Sequence, residues 1–179
     1  FASYSGATVD NWGYTSTFND LGNLYGGGVS FGVGYPVTTG AIQTTFGGGA
    51  LDISISKFSP NGSSLEYSTY FGGGNSDYPH SMIVNSNDEL LVFDAYVIKF
   101  SANGQTLLAS TYIGGKGNDG LNNLQPLKYN YADEHRGEII VDTNDDIFVA
   151  TVTSSSDFPV TAGTIQSANA GGNDGCVFK

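Results

Sequence analysis

The chain has 179 residues, enough for one domain with a real core, and its 13% aromatic content separates it from disordered linkers that are equally rich in glycine. A net charge of −11, from 17 acidic and 6 basic residues, repels nucleic acid and anionic lipid. The single cysteine, Cys176, excludes an intramolecular disulfide framework, and no run of about 18 apolar residues marks a membrane-spanning helix.

Taken in chain order, the sequence opens in mid-pattern at "FASYSG" and reads as an excised piece. Asn19-Asp20-Leu21-Gly22 is the first turn signal, and "YPVTTGAIQTT" from Tyr35 is a Thr-, Gly- and Pro-bearing passage. "DISISKF" from Asp52 alternates Ile53 and Ile55 with Ser54 and Ser56, the period of a half-buried strand. Ser59-Pro60-Asn61-Gly62 turns the chain, because Pro presets φ and Asn-Gly tolerates positive φ. "SLEYSTYF" is the next strand, Gly72 to Gly74 a loop, "HSMIV" a third strand, Asn85 to Asp88 a turn and "ELLVF" a fourth strand. Thr143 to Asp146 repeats that turn, and no segment carries a long 3.6-residue period. Short strands punctuated by glycine predict an all-β chain.

The elements recur. "SPNGSSLEYSTYFGGG" from Ser59 returns as "SANGQTLLASTYIGGK" from Ser101, and the strand openings "DISISKFS", "DAYVIKFS" and "DGCVFK" begin at Asp52, Asp94 and Asp174. "YPVTTGAIQ" at Tyr35 returns as "FPVTAGTIQ" at Phe158. Ser3 to Ser68 gives a repeat of about 65 residues, but Ser68 to Ser110 is shorter by about 23, because the "PVT-x-G-x-I-Q" passage is missing before Asp94. Either that copy lacks the passage or a stretch has been omitted and the ends joined. The spacing favours omission, so Phe93 and Asp94 are expected not to be consecutive.

Four antiparallel strands per repeat describe a blade of a β-propeller. The predicted fold is an all-β propeller fragment over residues 1–179. Residues 1–51 form an incomplete blade and loop, 52–93 a blade, 94–173 a blade with an insertion near 121–136, and 174–179 the start of the next. The pattern D-x-x-x-x-K-F-S-x-N-G, S-T-Y-x-G-G and F-P-V-T-x-G-x-I-Q resembles the bacterial β-propeller repeat of large secreted Bacteroidetes surface proteins, similar to gliding-motility and type 9 secretion substrates. The resemblance implies a secreted or cell-surface, non-enzymatic scaffold or adhesin-like module. Its implied partners are further blades of the same chain, and outer-membrane secretion or surface proteins or glycans, with no nucleic acid and no direct membrane insertion.

Chemistry-bearing patterns each meet a plainer reading. Gly28-Val29-Ser30-Phe31-Gly32 matches G-x-S-x-G, but Val33-Gly34-Tyr35-Pro36 cannot start the helix a nucleophile elbow requires. Gly115 to Gly120 matches G-x-G-x-x-G without a crossover helix, so it reads as a repeat loop. Asp142, Asn144 and Asp146 begin like a calcium loop but lack the following Gly and the bidentate Glu; a turn is the plainer reading, with weak Ca2+ binding as its alternative and no other cofactor expected. His80 and His135 share no metal spacing, and Cys176 reads as a small buried apolar residue. The insertion supplies the candidate interaction loop, Tyr129, Tyr131, Asp133, Glu134, His135 and Arg136, because it is unique among the copies. The aromatics Trp12, Tyr14, Tyr35, Phe46 and Tyr78 are candidates for stacking on sugar rings or simply for packing between blades. The sequence thus leaves three readings: a structural or binding propeller segment, a carbohydrate-binding module, and part of an enzyme whose active site lies outside this segment.

Overall fold

A computed structural model describes residues 1–121 and 137–179. Strands β1 (Asn11–Phe18), β2 (Leu24–Ser30), β3 (Asp52–Phe58) and β4 (Leu65–Phe71) form one antiparallel sheet in that order. Strands β5 (Ser81–Val84), β6 (Leu90–Phe93), β7 (Tyr96–Phe100) and β8 (Leu107–Tyr112) form a second. Strands β9 (Glu138–Val141), β10 (Ile147–Thr153) and β11 (Asp174–Phe178) form a third. Among the described residues there is no helix, as the glycine punctuation predicts.

The sheets are up-and-down meanders, and they are two strands out of phase with the repeat cut at Asp52. Residues 52–93 hold β3 and β4 of the first sheet and β5 and β6 of the second. The reason lies in the connections. Ser59–Gly62 is a hairpin turn, closed by the Gly62 amide donating to the Ser59 carbonyl at 2.8 Å, so its strands share a sheet. The 72–80 loop instead carries the chain to the next sheet. Phased at Asn11, the segment read as an incomplete blade begins a complete four-stranded sheet.

Alternation places two apolar faces on the second sheet. Met82, Leu90, Val92, Ile98 and Phe100 face the first sheet and bury against its Tyr25, Ile53, Ile55 and Tyr67. Leu91, Phe93 and Val97 face the third sheet and bury against Ile139 and Val149. The first strands β1, β5 and β9 lie side by side in succession. Polar contacts stitch successive turns beside them: Asn19 Nδ2 donates to Asp88 Oδ1 at 3.1 Å, and the Ser86 amide donates to Asp145 Oδ1 at 2.9 Å.

One expectation changes. β3 is not half-buried: Ser54 and Ser56 are as buried as Ile53 and Ile55, because the 31–51 connection folds back over the serine face. Tyr35 Oη and Ser56 Oγ lie 2.6 Å apart in a hydrogen bond, and Ser56 Oγ is 3.0 Å from Ser68 Oγ. At the shortened copy, β6 and β7 join through a tight turn at Asp94 and Ala95. Phe93 pairs with Val97, and the Asp94 amide donates to the Tyr96 carbonyl at 2.9 Å. The second sheet closes through this turn, without the passage that precedes β3 and β11.

Gly104 locks the first two sheets. Its φ of 67° ends the Ser101–Gly104 turn, and a Cβ there would overlap the ring of Tyr67, which is buried. Gly104→Ala is therefore expected to lower stability in urea denaturation by about 2 kcal/mol or more, from strain plus displacement of a buried ring. Gly74→Ala, whose Cβ meets nothing within 4 Å, is expected to change it by less than about 0.5 kcal/mol.

Candidate interaction surface

The third sheet differs from the others in what covers it. Ile147, Val149, Ile139, Val141 and Phe178 lie on the face turned to the second sheet. The opposite face carries Ile140, Phe148, Ala150 and Val177, which line an open groove of about 480 Å3 with Glu138 and Lys179 at its rim. Ile140 is 54% exposed and Val177 81%. In the second sheet the equivalent face, bearing Ile83, Leu91, Phe93 and Val97, is covered by β9 and β10. Lys179 Nζ sits 5.3 Å from the Phe148 ring centroid and 2.6 Å from Asp146 Oδ2, so it fixes one end of the groove.

The connections on the outer side differ in the same way. Residues 35–43 strap the outer edge of β4: the Thr38 amide donates to the Ser68 carbonyl at 3.0 Å, and the Tyr70 amide donates to the Gln43 carbonyl at 3.1 Å. The matching passage 158–166 has no strand beneath it among the described residues, and Ile165 stands fully exposed. β8, whose own connection is the short turn, is exposed throughout.

A row of carboxylates at the junction of the first two sheets was not legible in the sequence, because it combines residues of different copies. Asp52 Oδ2 accepts from the Gly47 amide at 2.5 Å and from Gln43 Nε2 at 3.3 Å. Asp77 accepts from the Gly73 amide and from Tyr96 Oη, each at 3.0 Å. Asp94 accepts from the Tyr78 amide at 3.4 Å and lies 3.5 Å from His80 Nε2, whose ring stands edge-on to Phe93. Burial pushes Asp52 above its ordinary range and lifts Asp94 to about 6 against the pull of backbone donors, with Asp77 nearby adding to the rise. Asp119 repeats the arrangement of Asp77, accepting from the Gly115 amide at 2.9 Å. These carboxylates tie glycine loops to sheet ends.

Most of the other sequence candidates are held in plain structural contacts. Tyr129, Tyr131, Asp133, Glu134, His135 and Arg136 lie outside the described residues. Asp142 Oδ1 accepts from the Asn144 and Asp146 amides at 2.8 and 3.0 Å, as neutral Asn85 Oδ1 accepts from Asn87 and Glu89. The charge at Asp142 is thus not needed for the turn, and Asp146 is paired with Lys179. Among the described residues no three His, Cys, Asp or Glu side chains are grouped to hold a metal. Ser30 of the G-x-S-x-G pattern is buried and donates to the Gly32 carbonyl at 3.0 Å. In Gly115–Gly120 the amides of Gly115, Lys116, Gly117 and Asn118 donate to Asp119, Asp157, Ser155 and Ser154, so the donors that would cradle a phosphate are engaged. Cys176 is half-buried, and burial pushes its thiol up to about 11. Of the aromatics, Tyr35 is buried, Phe46 stands edge-on to Tyr70 and Tyr14 packs on Tyr78; Trp12 is 46% exposed beside Phe31.

No protein-family model matches the chain, and no curated protein matches it. The surface is therefore read from its own geometry: an apolar sheet face and an open outer edge on the same sheet.

The raised Asp94 sets a sign for pH dependence. The folded state holds its proton to higher pH than the unfolded chain, so this group's contribution is fully present below about pH 4 and is lost as pH rises through 6. Asp94→Asn removes that loss. Urea melts of variant and parent are expected to diverge in the variant's favour between pH 4 and 6.5, by up to about 3 kcal/mol. A constant difference across that range would contradict the assignment.

Proposed function

We propose that the chain is a non-enzymatic structural or binding segment of a β-propeller from a secreted or cell-surface bacterial protein, built from four-stranded blades of about 65 residues. The face of the third sheet that no described residue covers carries the reading. Sheet one buries its face on sheet two, and sheet two on sheet three; the Ile140, Phe148 and Val177 face repeats that surface and fits a further blade of the same kind. The contiguity of β1, β5 and β9 supports a radial arrangement in which first strands gather at an axis. The resemblance of the repeat to exported surface proteins supports the location and the class of partner, which includes secretion or surface proteins. The engaged glycine-loop amides and the backbone-bound carboxylates favour scaffold over catalyst. The glycan-binding reading finds less support, since Tyr35 and Phe46 are packed against the first sheet.

The test extends the protein with a copy of residues 58–112 after Lys179, which continues the repeat from its equivalent Lys57. The extended chain is expected to melt about 5 °C higher or more and to bind less of an apolar-surface dye. Val177→Asp is expected to abolish that gain in the extended chain and to leave the parent within about 0.5 kcal/mol, because Val177 is exposed there. An extension that changes neither melting nor dye binding refutes the reading.

A further inference from the structure

The recurrence of Ser-Thr-Tyr-x-Gly alongside P-V-T-x-G-x-I-Q has a physical cause in the first sheet. The Thr38 amide donates to the Ser68 carbonyl, and the Ser68 amide donates back to Thr38 Oγ1 at 2.9 Å. The Gln43 amide donates to Thr69 Oγ1 at 3.1 Å, and the Gly72 amide donates to Gln43 Oε1 at 3.0 Å. Tyr70 Oη accepts from the Tyr35 amide at 2.8 Å and donates to the Gly32 carbonyl at 3.0 Å. The strap therefore reads Ser68, Thr69, Tyr70 and Gly72 of the strand it covers.

The third sheet holds the same strap already folded. The Ala41 amide donates to the Thr38 carbonyl at 3.1 Å, and the Thr164 amide donates to the Thr161 carbonyl at 3.4 Å. Gly40 and Gly163 have φ of 82° and 86°. Gln43 Nε2 donates to the Thr45 carbonyl at 2.9 Å, and Gln166 Nε2 to the Ala168 carbonyl at 3.0 Å. Asp52 takes the Gly47 amide, and Asp174 the Ala170 amide, each at 2.5 Å. Thr161 and Gln166 thus stand ready in the roles of Thr38 and Gln43. β11 is the edge strand on the side where β3 pairs with β4.

We propose that the outer edge of β11 and the strap 158–166 form a strand-acceptor site, selective for an extended segment carrying Ser-Thr-Tyr-x-Gly-Gly supplied by a further repeat. Backbone pairing to β11 gives affinity, as in other strand additions, and Thr161 and Gln166 select the sequence. The site rests on the reading of the third sheet as a blade open at its outer side, and it adds which residues recognise the incoming strand.

The experiment titrates a labelled peptide of sequence LEYSTYFGG, that of Leu65 to Gly73, into the full chain and follows fluorescence anisotropy and amide exchange. Saturable binding is expected, with exchange slowed in 161–166 and 174–178 and not in β8. Gln166→Ala is expected to weaken binding about fivefold or more through the lost glycine-amide contact, without altering the melting temperature. Absence of saturable binding, equal binding of a scrambled peptide, or protection in β8 overturns the proposal. So does a dimer formed without peptide that the peptide fails to dissociate, since a second copy would then be the occupant. The extension test reads the covered face through Val177→Asp and the peptide test reads the strap through Gln166→Ala, so success of the blade extension together with failure of the peptide removes this site alone.

Discussion

A sheet with two apolar faces cannot stand alone, and the second sheet has two. Its Leu90, Val92 and Ile98 point one way, and its Leu91, Phe93 and Val97 the other, because adjacent residues of a strand face opposite sides. Each of these side chains is worth about 1.5–3 kcal/mol when taken fully out of water. The order of the sheets reflects that need: the first covers one face, the third covers the other, and the third is left with an apolar face of its own. Continuous apolar runs such as "ELLVF" mark this both-sided burial, whereas "DISISKF" alternates because its second face meets hydroxyl groups and a strap.

Polar contacts fix how the apolar faces meet. Dispersion and water exclusion are not directional, so they permit one sheet to slide on another. The stacked turns do not: Asn19 to Asp88 and Ser86 to Asp145 join the equivalent turns of successive sheets. The carboxylate row does the same at the opposite end of the strands, where Tyr96 of the second sheet donates to Asp77 in the loop leaving the first. Asp94 tolerates a raised proton affinity because its position between backbone donors and His80 ties the shortened turn to the 78–80 segment. The chain's large negative charge is thus partly structural.

The sequence made the strands and turns legible because each is specified locally. Ser59-Pro60-Asn61-Gly62 and Asn85-Ser86-Asn87-Asp88 turn where their residues allow, with Asp88 at φ 61° and Gly62 at 71°. The phase of the sheets was not legible, since a repeat has no intrinsic starting point; only the contrast between the Ser59–Gly62 hairpin and the 72–80 crossing sets it. The burial of Ser54 and Ser56 was hidden because what covers them, Tyr35, lies in a passage read as loop. The row of Asp52, Asp77 and Asp94 was hidden for a related reason: Asp52 and Asp77 stand far apart in one copy and Asp94 opens the next, so the row exists only where copies meet. The insertion bearing Tyr129 to Arg136 stood out in the sequence by being unlike the other copies, and difference from a repeat carries no information about contact.

Strap and outer strand behave as one unit, and the second repeat shows the consequence of parting them. β4 has its outer edge covered by 38–43 and its Ser68, Thr69 and Tyr70 are buried. β8 carries the same Ser110-Thr111-Tyr112, yet the connection between β6 and β7 is only Asp94 and Ala95, and every residue of the strand is exposed. The sheet itself is undamaged, because β7 still pairs with β8 through Tyr96, Val97 and Ile98. What is lost is protection of an edge: Leu107, Leu108 and Tyr112 face solvent beside unpaired backbone groups, the arrangement that recruits another strand. The strap is therefore dispensable for making a sheet and decisive for closing it.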